Sequence, residues 1–259
     1  MQDEPRRSQT FVSAFARGLA VIEAFDGAPA PLGLAEVAAR AHVDRAVARR
    51  MLLTLMELGL VAESQRHYRL TPRVLRLGYS FLAQTGLDGL AQAFVAEMAQ
   101  RTGESCSVSV LDEAEVVSVA HAPSPVHKLG FAFRPGTRWP AHVMASGRVL
   151  LASKLEADIR AVLGRVPRKA FTPRTLVKVD AILAAVREAG RKGFALVDGE
   201  LEEGLMSVAV PIRNRTGDVV ASLNSSSSAA RTSLRGFRDA VVPVLQAASA
   251  DMMKILAVP

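Results

Sequence analysis

The chain has 259 residues, 49% of them hydrophobic and 22% charged, which excludes a disordered polymer and allows two domains with real cores. Its formal charge of +7 points to a polyanionic partner. A single cysteine, Cys106, excludes intrachain disulfides and zinc sites built on paired cysteines. No apolar run approaches the ~20 residues that a membrane helix requires, and Met1 to Arg7 lacks the apolar core of a signal peptide. A cytoplasmic protein without a membrane partner is expected. Within residues 1–80, eleven arginines face eight acidic residues and no lysine occurs before Lys128, so the placement of the arginines carries more than their number.

In chain order, residues 1–10 are polar, with Arg6 and Arg7 placed to touch phosphates. The spacing of Phe15, Leu19 and Ile22 predicts a helix over 11–25, ended by residues 27–31. Leu34, Val37, Ala38 and Ala41 share one face of a second helix. His42 and Val43 make a turn, and Asp44 is the N-cap of a third helix over 44–58. There Val47, Met51, Leu55 and Leu58 form the inward stripe; Ala46, Arg49, Arg50 and Leu53 face outward, with Arg45 at the leading end. Gly59 stops that helix in a left-handed conformation. Two strands, 60–62 and 68–70, follow with residues 63–67 between them. Two short helices, the second basic on its outer face, and then a hairpin make a winged helix-turn-helix. A helix of that width fits the major groove of duplex DNA. Arg66 and His67 at the wing tip can reach phosphates or a minor groove.

Pro72 begins a connector helix carrying Val74, Leu75, Leu77, Gly78, Phe81 and Leu82, and a further helix covers 87–101. After Gly103 the period becomes that of strands: 106–111, 116–120 and 128–133. A loop over 134–140 leads to a small-residue helix over 145–153, and two more helices cover 156–163 and 178–192. Strands at 194–197, 206–212 and 219–224 and a final helix over 234–256 complete the pattern, with 214–218 as a hairpin loop. The fold class is therefore α+β: a winged helix-turn-helix domain over 11–71, a linker helix over 72–86, and a second domain over 87–259 with a mainly antiparallel sheet flanked by helices.

No catalytic group, metal site or cofactor is expected. Residues 225–228, all serine, lack the Gly-x-Ser-x-Gly frame of a nucleophile elbow and read as a flexible strand-end loop. His121 and His127 match no zinc spacing, Cys106 reads as a buried small hydrophobe, and no phosphate-binding glycine loop occurs. A small-molecule hydrolase or transferase with an appended DNA-binding-like module is the alternative reading. It would need a nucleophile and a base converging in the second domain, where only scattered serines and histidines occur.

The stretch from Leu34 to Leu70, followed by Thr71-Pro72-Arg73-Val74-Leu75-Arg76-Leu77-Gly78, resembles the DNA-binding domain of the IclR family of bacterial transcriptional regulators. The resemblance continues through Gly136-Thr137-Arg138-Trp139-Pro140-Ala141-His142, Ser146-Gly147-Arg148-Val149-Leu150-Leu151-Ala152, Glu200-Leu201-Glu202-Glu203-Gly204-Leu205 and Ser207-Val208-Ala209-Val210-Pro211. Phe15-Ala16-Arg17-Gly18-Leu19-Ala20-Val21-Ile22 resembles the first helix of the branch that controls aromatic-acid catabolism. Tight binding takes two helices like that over 44–58 about one helical turn apart, so a homodimer or dimer of dimers on a near-palindromic operator in double-stranded DNA is expected, contacted by Arg17, Arg45, Ala46, Val47, Arg49, Arg50, Arg66 and His67. The resemblance implies an effector-binding second domain that holds a small carboxylic acid. Carried over by position, Ala145 and Ser146 supply helix N-terminal amides, and Asp198, Ser207, Asn224 and Ser226 are polar lining. Arg138 and His142 are added as cations that would complete a carboxylate site. Two positions depart from the family's pattern. Ala46-Val47 stand where Ser-Thr is usual, which removes two hydroxyl contacts to phosphate, and His42 replaces the usual turn glycine.

Overall fold

A computed structural model describes residues 10–28, 31–85, 87, 90–127, 133–214 and 216–256. The chain divides into two compact units, one ending at Gln84 and one beginning at Thr85. The phosphate-facing roles of Arg6 and Arg7 lie outside the described residues, as does the strand expected over 128–133 except for Phe133, which is buried in no strand.

In the first unit, α1 (Ser13–Glu23), α2 (Leu34–Arg40) and α3 (Arg45–Glu57) pack around Val21, Val37, Leu52 and Leu55. A three-stranded antiparallel sheet in the order β1 (Leu32–Gly33), β3 (His67–Leu70), β2 (Val61–Ser64) closes this core with Val61 and Tyr68. Each fully buried aliphatic side chain of this kind stabilises the unit by ~1.5–3 kcal/mol. The inward stripe of α3 is Ala48, Leu52 and Leu55: of the expected residues Leu55 is buried and Met51 packs half-buried against the core, but Ala48 and Leu52 take the places expected of Val47 and Leu58, and Leu58 is exposed. The stripe expected on α1 is also turned: Phe15 is 69% exposed and Leu19 43%, while Val21 is buried.

Local chemistry sets the element ends. The Asp44 carboxylate accepts a hydrogen bond from the Val47 amide at 2.8 Å. His42 takes φ +52° at the turn, the conformation a glycine would adopt without strain. The wing tip is tighter than the five-residue connection expected, with only Gln65 and Arg66 between the strands, at φ +50° and +61°, as a type I′ turn requires. Pro72 opens a 3₁₀ turn (Pro72–Val74) that runs into α4 (Leu75–Thr85), on which Leu75, Leu77 and Phe81 are exposed.

The second unit is built on a six-stranded antiparallel sheet in the order β6 (Arg138–Pro140), β5 (Glu115–Ala122), β4 (Ser105–Asp112), β9 (Val219–Ser228), β8 (Leu205–Arg213), β7 (Ala195–Asp198). Strand alternation gives it two unlike faces. Cys106, Val108, Met206, Val208, Val210 and Leu223 form the apolar face, packed on α5 (Leu90–Thr102) and α9 (Leu234–Ile255). The other face is small and polar and lies under α6 (Ala145–Leu151), whose Ala145 and Val149 contact Ala195, Val197 and Ala209. Outside α6 pack α7 (Glu156–Arg165) and α8 (Val179–Lys192), through Ile159, Leu163, Ile182, Leu183 and Val186. Gly147 is obligatory: a Cβ there would lie 2.0 Å from the carbonyl oxygen of Ala141, which precedes α6 in a 3₁₀ turn (Ala141–Val143). No described helix is long and apolar enough to cross a membrane.

The serine run 225–228 is strand rather than flexible loop. It completes β9, and Ser225, Ser226 and Ser227 are at most 1% exposed because β8 flanks the run, with β4 on its other side as far as Ser226.

Candidate functional site

In the first unit, α3 presents Arg45, Ala46, Arg49, Arg50 and Leu53 to solvent, Val47 lies half-buried behind its cap, and Arg17 of α1 is exposed. Arg66 and His67 are exposed at the wing, where the His67 Nδ1 lies 3.0 Å from the Gln65 carbonyl oxygen. Among the described residues none of these five guanidinium groups is ion-paired. Arg40, by contrast, is used internally: its Nε donates to the Ala24 carbonyl at 2.6 Å and its guanidinium also reaches the Asp26 carbonyl, closing the end of α1.

In the second unit the polar sheet face has a legible register. Ser107 lies opposite His121 on β5 and opposite Asn224 on β9, and Asn224 lies opposite Ala209 on β8. Parallel rows hold Ser109 with Ser222, and Ser105 with Ser226 and Ser207. Two of the serines donate to strand carbonyls: the Ser105 hydroxyl to that of Ser226 at 3.3 Å, and the Ser222 hydroxyl to that of Ser109 at 3.3 Å. The Asn224 amide donates to the Ser226 hydroxyl at 3.1 Å, which leaves its Oδ1 buried without a partner. The Ser146 hydroxyl, on the first turn of α6, is likewise buried and unpartnered among the described residues. Each such atom costs ~1–3 kcal/mol when nothing meets it, so this floor is primed for a polar ligand. Ala145, Ser146, Ser207, Asn224 and Ser226 are brought together here.

Three expected residues are not part of the floor. Arg138 sits exposed on the edge strand β6, with its Nε 2.7 Å from Glu115 and its NH2 2.6 Å from Asp112, where it pins the β4–β5 turn. His142 is 1% exposed and lies 3.4 Å from the Lys169 carbonyl; burial pulls its pKa below 6.5, so it supplies no cation at neutral pH. Asp198 lies opposite Met206, whose side chain belongs to the apolar core, so it points to the other face and is ion-paired with Arg174. A buried cation on α6 comes instead from a residue that sequence reasoning missed. Arg148 of α6 and Glu200 form a buried pair, one guanidinium nitrogen lying 2.6 Å from each carboxylate oxygen. Glu200 also accepts from the Leu176 amide at 3.2 Å, so α6 is tied to the segment after β7 and the guanidinium is neutralised. The polar floor had a signal: Ser105, Ser107 and Ser109, like Ser222, Asn224 and Ser226, alternate at period two. The Arg148–Glu200 pair, 52 residues apart, had none.

Cys106 is 1% exposed, and burial pushes its thiol up to about 11, so it is an inert core residue.

Comparison with known proteins agrees with both units. Residues 14–64 match the IclR helix-turn-helix domain, and residues 79–253 match the bacterial transcriptional regulator IclR C-terminal domain. The Pca regulon regulatory protein of Pseudomonas putida is 35% identical over 93% of this chain and 83% of its own length. The p-hydroxybenzoate hydroxylase transcriptional activator of Acinetobacter baylyi is 31% identical over 98% of this chain and 95% of its own. A crystal structure from Rhodococcus sp. RHA1 superposes with a TM-score of 0.80 at 40% identity, over 95% of this chain and 98% of that one. An IclR homologue of Microbacterium hydrocarbonoxydans complexed with 4-hydroxybenzoate shares the fold, with a TM-score of 0.83 at 23% identity over 94% of this chain and 99% of that one. The chain belongs to the IclR family of bacterial transcriptional regulators, carrying both the helix-turn-helix and the C-terminal domain of that family.

Proposed function

We propose that this regulator senses a small aromatic carboxylic acid and controls a catabolic operon from the cytoplasm. Residues 11–71 bind DNA, 72–86 connect, and 87–259 hold the effector. The observation that carries the reading is the hydroxyl-lined floor under α6, where Ser146 and Asn224 each keep a buried polar atom without a partner among the described residues. The backbone amides of Ala145 and Ser146, with the Ser146 hydroxyl, meet the carboxylate, and Ser207, Asn224 and Ser226 line the remainder. Similarity to the Pca regulon regulatory protein and to the p-hydroxybenzoate hydroxylase transcriptional activator supports the effector class.

On the DNA side, α3 enters the major groove with Arg45, Arg49 and Arg50, while Ala46 and Val47 make apolar approaches. Arg17, Arg66 and His67 contact flanking phosphates or the minor groove. Tight binding takes two such helices about one turn of duplex apart, so the working form is a homodimer or dimer of dimers on a near-palindromic operator. Phe15 and Leu19 on α1, and Leu75 and Leu77 on α4, are exposed apolar side chains suited to that pairing. The acid acts by favouring one spacing of the paired helices over another.

A gel-shift titration against the DNA flanking the coding sequence tests this, repeated with benzoate, 4-hydroxybenzoate and 3,4-dihydroxybenzoate. At least one acid is expected to raise the melting temperature and to change the DNA affinity. Ser146→Leu should abolish both acid effects and leave acid-free DNA binding intact. Failure of every acid to do either would overturn the sensing half of the reading.

A further inference from the structure

We infer that His121 is the residue that reads the far end of the effector, selecting an aromatic acid with a hydroxyl group opposite its carboxylate. This deepens the aromatic-acid reading above and rests on it. His121, Ser107 and Asn224 lie in one row across three adjacent strands, β5, β4 and β9, and cross-strand partners project to the same face. The imidazole is therefore on the ligand side of the sheet, with the Ser107 hydroxyl between it and Asn224. Two strand spacings separate the ends of the row, ~10 Å, and a hydrogen bond at each end takes ~2.8 Å of that. What is left is close to the length of one ring. A single benzene ring with polar groups at opposite ends can lie along the row, whereas a two-carbon acid held at Ser146 and Asn224 falls short of His121.

The surroundings of His121 agree. Its ring is half-buried and makes no hydrogen bond among the described residues, while Ser105 and Ser222 in the flanking rows donate to strand carbonyls. It lies 6.2 Å from the Phe133 ring at a 50° tilt, and Phe133 in turn meets Trp139 edge-on at 6.4 Å. An aromatic wall thus ends at the one titratable group of the row. Burial lowers its pKa below 6.5, so at neutral pH it is an uncharged imidazole with one donor and one acceptor nitrogen, suited to a neutral phenol.

The test is isothermal titration calorimetry of the full chain at pH 7.5 with benzoate and 4-hydroxybenzoate, on the natural protein, His121→Leu and His121→Gln. The natural protein is expected to prefer 4-hydroxybenzoate. His121→Leu should weaken 4-hydroxybenzoate about tenfold and benzoate hardly at all, and His121→Gln, which keeps a donor and an acceptor, should restore part of the preference. An equal loss of both acids in His121→Leu would make the ring a mere wall and overturn the inference, as would an unchanged preference or a natural protein that does not discriminate. Binding of neither acid by the natural protein would overturn the aromatic-acid reading itself, and this inference with it.

Discussion

Arginine is used in opposite ways by the two units. In the unit ending at Gln84 no ion pair forms among the described residues, although residues 1–80 hold eleven arginines and eight acidic side chains. In the unit beginning at Thr85, Arg101, Arg138, Arg148, Arg160, Arg174 and Arg187 all meet carboxylates. Glu36 and Asp44 of the first unit cap helix backbones instead of arginines. On the proposed reading, the free guanidinium groups of the first unit are held ready for a duplex. A surface that must displace counterions from a duplex keeps its charges hydrated until the duplex arrives, whereas a sensor neutralises its own charges so that its pocket discriminates by shape and neutral hydrogen bonds.

The largest expected departure comes from undoing an internal pair. Glu200→Ala leaves Arg148 buried without its carboxylate and should destabilise the second unit by ~3–5 kcal/mol in urea unfolding. A loss as small as that of an exposed pair would mean that the guanidinium finds water. Next, Arg49→Ala or Arg50→Ala should weaken operator binding by ~1–3 kcal/mol and reduce its salt dependence, with acid-induced stabilisation unchanged. Equal loss of both functions would dissolve the division of labour.

The histidines of the second unit set a pH dependence. His121 and His142 have folded pKa values below the ordinary 6.5, so the unfolded chain takes up protons first as pH falls. The contribution of these two histidines is expected to be flat above about pH 7.5 and to decline as pH drops through 6.5. His142→Gln should flatten that decline in thermal melts, and an unaltered slope would place its origin elsewhere. The smallest effect belongs to Arg138→Ala. Its two carboxylate partners are exposed, so the change should cost ~0–1 kcal/mol and leave acid affinity untouched. A large fall in acid affinity would return Arg138 to the pocket.

Local signals made much of the fold legible. The α2–turn–α3 arrangement follows from apolar spacing, the Asp44 cap and the Gly59 stop at φ +71°, all of which act within a few residues. Of the strands of the second unit, β4, β5, β7, β8 and β9 were legible from their patterning, whereas β6 falls in the stretch expected as a loop over 134–140, where its pairing with β5 and not any alternation of its own three residues makes it a strand. The misses are of another kind. Phe15 and Leu19 form a stripe whether or not anything in the same chain covers it, and here they stay exposed. Arg138 and His142 stood near the right helix in sequence, but one was taken by two carboxylates and the other by burial.

From sequence alone came the two-domain plan, the arginine-bearing outer face of α3 and the family, because caps, periods and motif order are short-range and additive. Tertiary structure alone decided which polar residues share a face. A strand turns its side chains by pairing register, and a one-residue difference sent Asp198 to the core side while Ser207, Asn224 and His121 were left on the other.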